Sequence, residues 1–583
     1  YGMDQPYWTR FRRETAPEIV AQVKLQIDEL SRYFHAQAQQ TRTRVAYNEA
    51  IRWYRKRLAY FPGEADSATA NFLLAELLFE TQQFADAASE YEKTAYQYPS
   101  HKRSAEAGYA ALLAYAAHTG TFPETQRQVW QRHTLASSDR FTKRFPEHPE
   151  APKVLAKLAE QWFALGNGEA ASVAARRLVT RYPNSGTQLR RSAWMVIAHS
   201  AFDLQDYTHS EQAYQQVLAL TSTQTQDRAA IVDRLGASVY KQAEQLRAQG
   251  KHDAAATAFL RVAQVAPRSS VRATADFDAA AALLAGRQWQ RATVVLEGFR
   301  RQHPGHSLQA EVTEKLAVAY LEVGKPARAA AEFGRIASSS KDEKVRREAA
   351  WQSAELYEYV QQTPRAIKAW ERYVKNHPQP ITEVIEARFK LLQIYHQRGD
   401  QRQVRAIRLA IVQADRRAGA QRTDRTRYLA AQASFALAKE SVLAFETIAL
   451  KEPLKRSLAR KRAAMKKSLG ELGAVADYGV ADVTTAATFQ TASVYRHFAK
   501  ALMDSERPKN LDAEGLEEYE LLLEEQAFPF EQKAIEVHAI NTRRTLTGIY
   551  DDWVRRSYKE LAQLMPARYA KTERGLEIYA TLD

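Results

Sequence analysis

The sequence predicts an all-α protein, a right-handed α-solenoid of stacked helix pairs that runs into an all-helical C-terminal region. Three observations predict it. Only 22 Gly and 19 Pro occur in 583 residues, while Ala, Gln, Arg, Glu and Leu dominate, too few turn formers for a strand-rich fold. Prolines, most of them behind Tyr, Phe or His, recur at Pro62, Pro99, Pro146, Pro183, Pro267, Pro304 and Pro378. Their spacings of 37, 47, 37, 84, 37 and 74 reduce to a period of 37, with missing marks near Leu220 and Lys341 and two ten-residue insertions. Small residues then return at fixed offsets from each mark: Ala75, Ala159, Ala280, Ala317 and Ala354 at one, Ala87, Ala171, Ala292, Ala329 and Ala366 at another.

Residues 1–60 read as an N-terminal helical cap, in which Ile19, Val23, Ile27 and Leu30 form an apolar stripe at helical spacing. The chain opens Tyr1-Gly2-Met3 without an initiator Met or a signal-peptide pattern, as expected of a processed chain or a fragment. Residues 61–400 form the solenoid. There the paired Ala positions let two antiparallel helices approach closely, and a large residue at a third offset (Tyr91, Leu296, Phe333, Trp370, with Ala175 as the exception) fills the space beside them. Leu78, Trp162, Leu283, Tyr320 and Tyr357 recur at a fourth. Proline ends the second helix because it lacks an N–H and clashes with the preceding turn. One pair cannot bury its own apolar face, so pairs must stack. From Gln401 the rhythm lapses, and residues 401–583 read as longer helices broken near Pro453, Gly470 to Gly479, Pro508 and Pro529.

Charge is unevenly spread. The net formal charge is +15, and Gln401 to Gly470 holds 17 Lys/Arg against five Asp/Glu. A basic patch is expected at Lys451, Lys455, Arg456, Arg460, Lys461, Arg462, Lys466 and Lys467, either a solvated helix or a contact for an anion such as nucleic acid, glycan or lipid headgroup. Asp512 to Glu531 carries eight acids and no Lys or Arg, so the two blocks can also face each other.

Cysteine is absent, which excludes disulfides, thiol catalysis and Cys-ligated metals. No run of about 18 apolar residues offers a membrane span. Gly250-Lys251 and Gly324-Lys325 lack the phosphate-loop context, no His follows a Glu by three, and His303 with His306 brackets an exposed Pro-Gly turn. Ser338 to Lys341 spells Ser-x-x-Lys without its companion motifs. The expectation is no catalytic residue, no metal and no cofactor.

The offsets of the Ala, aromatic and Pro positions resemble the tetratricopeptide repeat family, whose unit is roughly 34 residues long. The resemblance covers about Ala59 to Asp400, with a unit three residues longer, and Tyr182 to Ser185 is similar to bacterial envelope repeats. Stretches such as Leu74 to Pro99 resemble periplasmic repeat proteins of outer-membrane assembly and of the Tol–Pal system. The resemblance implies a protein–protein interaction scaffold in a multiprotein complex, in the periplasm or cell envelope of a Gram-negative bacterium. It also implies a partner-binding groove on the first helices, at Phe72, Glu76, Phe79, Glu160, Phe163, Glu311, Glu314, Glu348, Trp351, Glu355 and Glu358. An acidic groove with aromatic anchors suits a segment bearing Lys or Arg. Two rivals stand beside it. One is a binder of anionic polymers through 401–470; the other is a glycan-cleaving enzyme resembling soluble lytic transglycosylases through Glu440-Ser441, although the Gly-Leu-Met-Gln run that should follow is missing.

Overall fold

The computed structural model describes residues 2–122, 124–509 and 511–571, so positions 572–583 at the end of the C-terminal region lie outside the described residues. Among those described are 27 α-helices and no strand. The chain divides into two compact units, Tyr1–His306 and Ser307–Asp583.

In the first unit Pro17–Thr41 and Arg44–Tyr60 pack together and precede six antiparallel pairs. These are Ser67–Glu80 with Phe84–Glu92, Ser104–Gly120 with Glu124–Arg144, Ala151–Ala164 with Gly168–Arg181, Thr187–Asp203 with Tyr207–Ala219, Arg228–Ala248 with His252–Val265, and Arg272–Ala285 with Trp289–Gln302. Val23 and Ile27 of the predicted N-terminal stripe pack with Met3, Trp53 and Phe61. Beneath them the buried Arg57 guanidinium donates to Asp28 at 2.8 Å, to Ser67 at 3.1 Å and to Asp66. The second unit continues with five pairs: Gln309–Glu322 with Pro326–Ser339, Glu343–Tyr359 with Thr363–Asn376, Ile381–Gln397 with Gln401–Arg417, Asp424–Glu446 with Leu454–Ala476, and Ala481–Met503 with Ala513–Arg543. Asp552–Leu564 packs against the last of them.

The period has a direct structural meaning. Each of the seven marking prolines stands two residues beyond the end of a helix, from Tyr60 before Pro62 to Asn376 before Pro378; before Pro99 the helix closes in a single π turn, Lys93–Gln97. All ten Ala at the two fixed offsets are buried to 1% exposure or less, because backbone meets backbone there. The two insertions appear as lengthened helices, Glu124–Arg144 and Arg228–Ala248, each 21 residues against the usual 14.

A second regularity sits in the turn between the helices of a pair. Gln82, Gly166, Gln205, Gly250, Arg287, Gly324, Gln361 and Gly399 all adopt the left-handed conformation, with φ between 55° and 76°. Only half are the Gly that such a position favours. Beyond residue 400 the pairing persists although the sequence rhythm lapses: one hydrophobic core runs from Ile385 through Phe445 and Phe498 to Ala527. No described helix is long and apolar enough to cross a membrane.

Candidate partner-binding groove

The second unit carries two adjoining clefts, lined by residues from both helices of its pairs and from Asp552–Leu564. One, of about 670 Å³, is lined by Glu358, Gln361, Leu392, Gln393, His396 and Arg408. The other, of about 360 Å³, is lined by Phe389, Leu392, Arg408, Gln432, Phe435, Asp482 and Trp553. Leu392 and Arg408 belong to both, which makes them one groove. Its floor is aromatic and half-buried. Phe435 meets the Trp553 ring edge-on at 6.2 Å, and Arg425, paired with both carboxylate oxygens of Glu386, lies over Phe389 at 5.4 Å. The polar groups on its wall are held in place: Glu358 accepts from the Trp370 indole N–H at 3.1 Å and faces the Lys390 ammonium at 3.6 Å. Gln393 and Gln432 are exposed at its rim, where side-chain amides can read a peptide backbone, the Gln432 amide also donating to the Tyr428 hydroxyl at 2.5 Å.

Of the residues expected to line a groove from the sequence, the acids and the aromatics separate. Glu160, Glu311, Glu314 and Glu348 are exposed, Glu160 accepting from Ser192 at 2.6 Å and Glu348 lying 3.9 Å from Lys344. Glu76, Glu355 and Glu358 are half-buried, and burial pushes the Glu76 carboxyl above its ordinary range against the pull of Arg103. Only Glu358 lines the groove of the second unit. Phe72 is corrected outright: it is 2% exposed, edge-on to Tyr91 at 5.6 Å and covered by the Arg103 guanidinium at 4.4 Å, so it packs between helices and offers no anchor. Phe79, Phe163 and Trp351 are half-buried against Phe84, His199 and Trp370 respectively. The groove's own aromatics, Phe389, Phe435 and Trp553, were missed, and two of the three lie past residue 400 where the rhythm gives no register.

Among the basic residues Lys451, Lys455, Arg456, Arg460, Arg462, Lys466 and Lys467 are exposed, but Lys461 is not. At 1% exposure its ammonium donates to the Ile448 carbonyl at 2.7 Å and the Phe445 carbonyl at 3.3 Å, over the Phe445 ring at 4.6 Å. It therefore satisfies the C-terminal carbonyls of Asp424–Glu446, and burial lowers its pKa. Glu440 is held by Arg405 at 2.9 Å and Arg408 at 3.7 Å, not in the apolar pocket that a glycosidase acid requires. Ser557 and His538 do pair, at 3.3 Å, but both are buried where no substrate reaches. Among the described residues no three His, Asp or Glu converge as metal ligands.

Stacked helix pairs with a groove on their surface define a helical-repeat scaffold. A family model of the tetratricopeptide repeat matches residues 237–269 and 348–380. Among solved structures it is similar to a tetratricopeptide repeat protein from Parabacteroides merdae ATCC 43184, 14% identical, over 47% of this chain and 98% of that one, with a TM-score of 0.20. It is likewise similar to the TPR domain of P58(IPK), 14% identical, over 60% of this chain and 99% of that one, with a TM-score of 0.21. No curated protein matches the sequence.

Proposed function

We propose that the protein is a non-enzymatic protein–protein interaction scaffold that receives an extended partner segment in the groove lined by Phe389, Leu392, Phe435 and Trp553. The carrying observation is that groove: half-buried aromatics on its floor, restrained charges on its wall and exposed glutamine amides at its rim. Aromatic floors supply most of the affinity at such surfaces, and the exposed Asp482 gives a Lys or Arg of the segment a carboxylate to meet. The setting we propose is a multiprotein assembly of the Gram-negative cell envelope or periplasm, supported by the resemblance of the repeats around Tyr182 to Ser185 to envelope proteins.

The test places a photo-crosslinking residue at Gln393 or Gln432, and in a control at Lys368 on the second helix of a pair, in the full chain. A defined partner crosslinked from both groove positions and absent from the control is the expected result. Equal capture from all three positions, or none from the groove, sinks the proposal. Fractionation of the source cells tests the envelope setting, which fails if the chain stays wholly in the cytosol.

A further inference from the structure

Elsewhere in the array acids and bases meet between helices, as in Arg177 with Asp139, Arg191 with Asp227 and Arg425 with Glu386. Two helices of the second unit depart from this. Ala513–Arg543 begins with the acidic block, yet of its eight acids only Glu520 has an ion-pair partner among the described residues, Arg507 at 3.6 Å. Leu454–Ala476 carries six exposed cations, of which, among the described residues, only Lys467 is paired, with Glu471 one turn away at 3.9 Å. Both helices pack on Ala481–Met503, and among the described residues no ion pair joins one to the other.

Their outward faces are complementary in shape as well as sign. On the acidic helix Leu521 is 67% exposed and Phe528 57%, seven residues apart and so on one stripe, with Leu522 at 51% beside them and Glu517, Glu518, Glu524 and Glu525 around them. On the basic helix Lys455, Ala459, Arg462, Lys466, Gly470 and Gly473 form one exposed stripe, and Arg456, Arg460, Ala463 and Lys467 the next. Every uncharged position there is Ala or Gly, and open space surrounds Gly470 and Gly473. One surface thus presents large apolar side chains ringed by acids, and the other a shallow strip ringed by bases.

We propose that the acidic face of Ala513–Arg543 docks on the basic face of Leu454–Ala476 of a second copy of this chain. Because each copy carries both faces, a two-fold axis makes the contact reciprocal and buries the pair of faces twice, closing the dimer. Like charges along each helix oppose any parallel self-pairing of two acidic or two basic faces.

The test is sedimentation velocity of the full chain from about 1 to 100 µM at roughly 0.05 and 0.5 M salt. The expected result is a dimer whose dissociation constant rises at least about tenfold at the higher salt. Leu521→Lys with Phe528→Lys, exposed positions that leave helicity intact by circular dichroism, should give a monomer. Glu524→Lys with Glu525→Lys and, separately, Arg460→Glu with Lys467→Glu should each be monomeric alone and associate when mixed, since one contact is then native and the other carries compensating exchanges. A monomer at every concentration in low salt overturns the proposal. So does a dimer indifferent to either charge exchange, or a chain that stays monomeric while its basic helix takes up a polyanion.

Discussion

Lowering the pH from 7.5 to 5 should loosen the last three long helices of the second unit through one side chain. His538 is fully buried where Ala513–Arg543, Ala481–Met503 and Asp552–Leu564 meet. Its Nδ1 pairs with the Ser557 hydroxyl at 3.3 Å, the Phe489 ring lies 5.3 Å away, and its Nε2 is buried with no hydrogen-bond partner among the described residues. Burial, with the nearby Arg496 guanidinium adding to it, pushes the imidazole pKa down to about 4. An unfolded chain would take up that proton near pH 6.5, so between about 6.5 and 4 the unfolded state binds a proton the folded state refuses. The stabilisation is complete above about pH 6.5 and is lost as pH falls toward 4, reaching about 2 kcal/mol at pH 5 and about 3 kcal/mol at the limit. Because two units and many helix pairs need not unfold together, a global midpoint is the wrong readout. Hydrogen exchange of the amides in 534–561, corrected for intrinsic pH dependence, should show protection falling by about 2 kcal/mol at pH 5 in the native chain. With His538→Asn, which removes the titrating group, the difference should nearly vanish, although the variant starts less stable. His35, His199, His377 and His497 are pushed in the same direction by burial, which is why a local measurement is required. Equal pH sensitivity of the two proteins in 534–561, or an imidazole signal of His538 titrating near 6.5, would refute the reasoning.

Trp370 is fully buried between Trp351 and Tyr373, at ring distances of 4.7 and 6.2 Å, and Trp370→Ala should cost about 3–5 kcal/mol by urea titration of the second unit's fluorescence. At the left-handed turn positions Arg287→Gly and Gln361→Gly should stabilise their pairs by about 1 kcal/mol, and Gly324→Ala should destabilise by a similar amount because only its φ of 67°, not space, opposes a Cβ. Calorimetric shifts of the same sign in all three would refute that assignment. Arg57→Met should cost about 3 kcal/mol or more by leaving Asp28 and Ser67 without their donor, a loss read from accelerated exchange in Arg44–Tyr60.

The parts of the fold that packing repeats were the parts the sequence made legible. Ala75 and its counterparts are constrained by helix contact, and the proline two residues past each of seven helix ends is constrained by the turn, so both leave a fixed spacing. The left-handed turns left none, since Gln82, Gln205, Arg287 and Gln361 accept the conformation at modest cost and no single residue type marks it. Groove residues suffered from a different difficulty. One helical position rotates a side chain by about 100°, so a register error of one residue moves it from groove to pair interface. Glu160 and Glu311 are exposed, as almost any surface register allows an acid to be, whereas Phe72 turned inward to where aromatic area is best buried. Lys461 could not have been separated from its neighbours at all: the carbonyls it caps lie 13 and 16 residues back, across a chain reversal.

The lapse of the period after Gln401 follows from helix length, not from a change in how helices pair. In the second unit the helices run 14 residues in Gln309–Glu322 and Pro326–Ser339, then 17 in Ile381–Gln397 and Gln401–Arg417, then 23 in Asp424–Glu446, Leu454–Ala476 and Ala481–Met503, and 31 in Ala513–Arg543. A pair of 14-residue helices spends nearly every turn on its neighbours, so packing dictates residue type at fixed spacing. Each added turn contributes about 5.4 Å of helix whose outer face is left exposed among the described residues. Those outer faces are where the cations of Leu454–Ala476 and the acids and leucines of Ala513–Arg543 stand. An apolar stripe as exposed as Leu521, Leu522 and Phe528 costs solubility and adds nothing to the unit's own core, so its retention beside unpaired charge is explained by contact with another surface.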